Sequence, residues 1–198
     1  MIRGALLVAL LVAAGAAAGS DEDYDKVNGS IQVAAGRKVD QNVSTVNGSI
    51  TIGEGASVKD AETVNGSITL APRATATKLS TVNGRLTLDN GGNVTGAIGN
   101  INGDIRLSGA HVAGGIRTIN GNIDIGANSR VEGGILVEKP SMSWFSWKGK
   151  PPRVVIGPGA VVQGTLKFER EVQLYVSDRA TIGPVEGATA VKFSGDTP

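Results

Sequence analysis

The chain contains no cysteine, which excludes a disulfide framework, a thiolate metal site, a cysteine nucleophile and a lipid anchor on an N-terminal cysteine. Aromatic residues are nearly as scarce, with 3 Phe, 2 Trp and 2 Tyr against 29 Gly in 198 residues. A core of this composition has to be packed by small aliphatic side chains. His111 is the single histidine and no Glu-x-x-His pattern accompanies it, so no metal site is expected. Gly-x-Ser-x-Gly, P-loop and dinucleotide-binding fingerprints are also missing, and neither catalysis nor a cofactor is expected.

An excess of one charge is lacking too. The chain carries 19 Lys+Arg and 18 Asp+Glu, a balance unsuited to neutralising a phosphate backbone, so no nucleic-acid partner is expected. Long apolar runs are confined to the start, where Arg3 precedes Ala5 to Ala14 and the run ends in Ala16-Ala17-Ala18. This reads as a secretory signal peptide over 1–18, cut near Ala18, because a bilayer span needs ~20 apolar residues. The mature protein is then expected to be periplasmic or secreted, opening on an acidic lead-in over 19–26.

What the chain has is a repeat. Val27-Asn28-Gly29-Ser30-Ile31-Gln32-Val33 is followed by near copies that start at 46, 64, 82, 101 and 119, separated by 19, 18, 18, 19 and 18 residues. Each copy carries aliphatic residues at its first, fifth and seventh places, a period-2 strand pattern around a turn dipeptide, so all three are expected to face inward. A second aliphatic pair follows in each unit, from Val39 and Val43 to Val131 and Ile135. One unit has a single thin apolar face and two unpaired edges, and stacking solves both problems, since each coil pairs with its neighbours at ~4.8 Å. Helical repeats fail because Asn-Gly recurs among Val, Ile and Thr. Antiparallel Asn-Gly hairpins fail because their upstream arms are too short. The expected fold is therefore all-β, a single-stranded parallel β-helix over 27–198 with coils of 18–19 residues and a lean to right-handed winding. The spacing recurs at Ala160, Val162 and Leu166 and at Ala180, Ile182 and Val185, which extends the solenoid to Val191-Lys192-Phe193.

Asn28, Asn47, Asn65, Asn83, Asn102 and Asn120 form one column. Stacked amides at one place hydrogen-bond along the axis, and the glycine after each Asn permits positive φ. Thr45, Thr63, Thr81 and Thr118, with Asn100, make a second column and Thr51, Thr69 and Thr87 a third; both are expected as outward strand residues. Asp104 and Asp124, beside Arg85 and Arg106, are the one carboxylate pair arranged like a glycosidase site, and mixed charge on a solvated face explains them as well. Asn-Gly-Ser matches the N-glycosylation acceptor pattern at three turns only because the repeat generates it.

An insertion over 138–152 interrupts the repeat and holds both tryptophans, one phenylalanine and three lysines. Trp144, Phe145 and Trp147 with Lys148 and Lys150 suit a partner pocket or membrane interface, with membrane contact through 143–148, or a loop folded over a flank. The turns, best seen in Gly157-Pro158-Gly159-Ala160-Val161-Val162-Gln163-Gly164-Thr165-Leu166, resemble those of the bactofilins, bacterial proteins whose β-helical cores polymerise end to end without nucleotide. The leader is a departure, since bactofilins are cytosolic. The Val-Asn-Gly-Ser-Ile-Thr style is similar to exported adhesin-like bacterial β-solenoids. These resemblances imply an envelope or secreted scaffold or interaction module, with envelope protein or polysaccharide as partner and end-to-end self-association. A carbohydrate-binding or carbohydrate-active β-helix is the alternative.

Overall fold

The computed structural model describes residues 24–140 and 150–198. Its strands are two to six residues long, too short to persist alone, and every pairing between them is parallel and links one coil to the next. Ile50, Ile68 and Leu86 lie in register in this way. The outcome is an all-β solenoid of about eight turns, with no helix among the described residues.

Three sheets form the walls. The first has nine strands, from Asp25–Asn28 to Val185–Glu186; the second also has nine, from Ile31–Val33 to Ala190–Phe193; the third has six, from Thr75–Ala76 to Thr181–Ile182. In the second sheet the period-2 pattern holds. Ile68 and Leu70 are fully buried while Thr69 between them stays partly exposed. The later pairs, such as Val94 with Ile98 and Val131 with Ile135, are buried from the third and first sheets. One continuous aliphatic core results, held by the hydrophobic effect at roughly 1.5–3 kcal/mol for each large side chain.

The corner between the first and second sheets corrects two expectations. The first aliphatic residue of each copy does not face the core: Val27 is 55% exposed, and Val46, Val64, Val82, Ile101 and Ile119 are half-buried on the outer face. The residue before it turns inward instead. Thr45, Thr63, Thr81, Asn100 and Thr118 are at most 2% exposed, so this column does not form an outward threonine surface. The reason is that the chain changes direction at Asn-Gly, and the strand alternation does not carry across the bend. Thr45 Oγ1 donates to the Gly29 carbonyl one coil away at 3.0 Å, and Thr63 and Thr81 do the same to Gly48 and Gly66 at 3.0 Å. A buried hydroxyl thus satisfies a corner carbonyl that the sheet leaves unpaired.

The corner glycine has a different purpose from the one expected. Positive φ occurs at Gly29 and Gly103 but at none of Gly48, Gly66, Gly84 and Gly121. What these four share is contact, because a Cβ on any of them would overlap the carbonyl of the glycine one coil away. The outward Asn completes the unit. Asn47 Nδ2 donates to Asn28 Oδ1 at 3.0 Å, and the ladder continues through Asn65, Asn83 and Asn102 to Asn120 with spacings of 2.9–3.1 Å. In Thr-Val-Asn-Gly, then, the first residue pairs inward, the third pairs along the axis and the fourth permits close stacking.

Candidate functional site

The solenoid continues across the insertion without loss of register. Ile123 pairs with Val154 and Ile125 with Ile156, so the excursion leaves and rejoins one corner, the place a seventh Asn-Gly would occupy. The inward column becomes apolar here, with Val137 and Phe168 following Thr118, so the threonine pattern ends at the interrupted corner.

All ladder amides point the same way, each donating to the coil before it, which leaves the Asn120 oxygen as the acceptor end. Arg170 fills that place. Its guanidinium donates to Asn120 Oδ1 at 2.6 Å and to the Ile119 carbonyl at 3.1 Å, a charge-assisted end to an oriented row of dipoles. Sequence reasoning missed Arg170. The signal was its register, two residues past Phe168, as Asn120 lies two past Thr118.

Beside this capped end is a groove of about 460 Å³, lined by Asn120, Asn122, Gln173 and the returning Lys150-Pro151-Pro152-Arg153, with Arg170 and Asp104. Asn122 donates to Asp104 at 3.0 Å and accepts from the Arg153 backbone at 2.9 Å. The Arg153 guanidinium lies 5.2 Å from the centre of the Tyr175 ring, within cation–π range.

The carboxylate pair separates into two ion pairs. Asp104 meets Arg85 at 3.5 Å and Asp124 meets Arg106 at 3.6 Å, all with side chains at least one-third exposed. Such exposed pairs contribute little to stability. His111 Nδ1 bonds Asn93 at 2.7 Å and Nε2 meets Glu132 at 3.1 Å. That hydrogen bond first, and Arg130 second, hold the Glu132 carboxyl below the ordinary carboxylate range. No group of three or more metal-ligating side chains is found among the described residues.

A second concavity, about 470 Å³, lies on the outer face of the first sheet. Gly99, Gly115 and Gly134 are among its lining residues, and Lys78, Arg117 and Lys167, which also line it, are paired with Glu62, Glu138 and Glu169.

Of the insertion residues singled out from sequence, Lys150 is exposed at the groove. Trp144, Phe145, Trp147 and Lys148 lie outside the described residues, as does the leader over 1–18. No described helix is long and apolar enough to cross a membrane. No protein-family model, curated protein or solved structure matches the chain.

Proposed function

We propose that the chain is an exported, non-catalytic scaffold or adhesin-like interaction module of the bacterial cell envelope. The supporting observation is the single interrupted corner. Six repeats are spent on one stacked unit, and then one coil releases a Trp- and Lys-rich segment without disturbing the register of the wall beneath it. A stacked core whose repeat is interrupted by one aromatic, lysine-rich insertion suits recognition, because the core supplies the rigidity and an insertion is free to vary in sequence. Export rests on the leader, and the resemblance to envelope solenoids agrees with it.

The test has two parts. Fractionation with N-terminal sequencing is expected to find a periplasmic or secreted chain that starts near residue 19. A glycan array, a vesicle assay and capture from envelope extract are each expected to lose signal when residues 143–148 are replaced by Gly/Ser. A cytosolic, full-length chain, or signals indifferent to the replacement, would overturn the proposal.

The groove beside Arg170 favours the second reading, carbohydrate binding without catalysis. Its lining gathers Lys150, Arg153, Arg170 and Gln173, while Asp104 and Asp124 are each engaged by an arginine. Turnover of an acidic polysaccharide that is abolished by Asp104→Ala or Asp124→Ala would show an enzyme instead.

A further inference from the structure

We infer that the groove at the interrupted corner is a binding site for the carboxylate-bearing sugars of an acidic glycan. The inference deepens the carbohydrate-binding reading and rests on it.

The first argument is charge. Three cations, Lys150, Arg153 and Arg170, line the groove against the single carboxylate of Asp104. Among the described residues none of the three has a carboxylate partner, whereas Asp104 is already held by Arg85 and Asn122. Many other cations stand beside acids, as Arg73 beside Glu54, Lys78 beside Glu62 and Arg117 beside Glu138. In a chain of net charge +1, three cations without an acidic partner thus meet at one concavity.

Geometry supplies the second argument. Arg170 spends part of its guanidinium on Asn120 and the Ile119 carbonyl, which fixes the fork while its other nitrogen stays available to an oxyanion. Arg153 is steadied over Tyr175. These two preset cations lower the entropy lost on binding. Third, Asn122 and Gln173 add amide groups, while Pro151 and Pro152 add apolar surface. That mixture suits a ring with hydroxyls on its edges and C–H groups on its faces, and about 460 Å³ lies within the range of small-molecule sites.

The test is titration calorimetry at low salt with alginate oligosaccharides, their carboxyl-reduced neutral counterparts and inorganic phosphate. Alginate oligosaccharides are expected to bind, with affinity falling as salt rises, and the neutral sugars and phosphate to bind far more weakly. Lys150→Gln and Arg153→Gln, which leave the Asn ladder untouched, should each weaken alginate binding by about tenfold. Thermal melts check that both stay folded. Absence of alginate binding, equal binding of the neutral sugars, equal binding of phosphate, or no effect of either substitution would each overturn the assignment. If the Gly/Ser replacement of 143–148 removes envelope binding while Lys150→Gln and Arg153→Gln do not alter alginate binding, the groove assignment fails and the interaction-module reading stands.

Discussion

Arg170 and Asn120 are joined across the interrupted coil: a guanidinium hydrogen bond of 2.6 Å ends the amide ladder at the point where its repeat ends. Hydrogen bonds that involve one charged partner contribute about 1.5–3 kcal/mol, and this one is only partly buried. Arg170→Met keeps the stem and removes the donors, so it should cost about 1–2 kcal/mol in chemical denaturation. A loss below a few tenths would show that the ladder needs no end group.

Ile68 and Val64 separate the true core from the apparent one. Both are aliphatic, but Ile68 is fully buried and Val64 is half-exposed on the outer face. Ile68→Ala should cost about 2–5 kcal/mol, and Ile68→Asp should unfold the chain, since it places an unpaired charge in an aliphatic interior. Val64→Ala and Thr69→Asp should each stay within about 1 kcal/mol. Similar melting losses for Ile68→Ala and Val64→Ala would place both on the same face.

This contrast also shows how far the sequence could be read. The stacked coils, the period and the inward Ile and Leu of the second sheet follow from spacing alone, because one unit cannot bury its own face. The parity of Thr63 and Val64 does not follow. Val64 and Ile68 are four residues apart, which places them on one face of an uninterrupted strand, but the bend at Asn65-Gly66 resets the alternation. Thr and Val are both β-branched and nearly equal in shape, so composition offers no correction. Only the Gly48 carbonyl one coil away, which needs a donor, decides between them. The groove was hidden for a different reason: Lys150 and Arg153 follow the insertion, but Arg170 lies 17 residues past Arg153 and only the stacking of the next coil brings it beside them.

Gly66 tests the close stacking of coils. A Cβ there would overlap the Gly48 carbonyl, which is backbone and cannot move aside. Gly66→Ala is therefore expected to cost more than about 2 kcal/mol. Gly99, on the outer face with its nearest neighbour atom 3.5 Å from the added carbon, should accept Ala with no loss or a gain of about 0.5 kcal/mol. Equal thermal shifts for the two variants would contradict the stacking argument.

Both ends of the solenoid carry a lysine at an inward place of the register. Lys26 pairs in column with Thr45, and Lys192 with Val176. An inward charge on a terminal strand opposes addition of another chain. The mature chain should be monomeric at low salt by light scattering, with end-to-end association growing as salt screens its charges. Lys192→Val should bring association on at lower salt. A variant that stays monomeric at every salt concentration would remove the lysine from this account.

The central claim is that each corner is one hydrogen-bonded unit, and Asn100 is where the chain departs from it. Asn100 stands in the threonine column, and its Nδ2 takes the carbonyl of Gly103, the acceptor that the pattern reserves for Thr118. Two buried atoms, Asn100 Oδ1 and Thr118 Oγ1, are left without partners. Asn100→Thr should let residue 100 donate to Gly84 and return the Gly103 carbonyl to Thr118, relieving both at about 1–3 kcal/mol for each group. The decisive measurement is the free energy of unfolding of Asn100→Thr against the parent chain. A gain of about 1–3 kcal/mol is predicted; a loss of stability would contradict the corner unit.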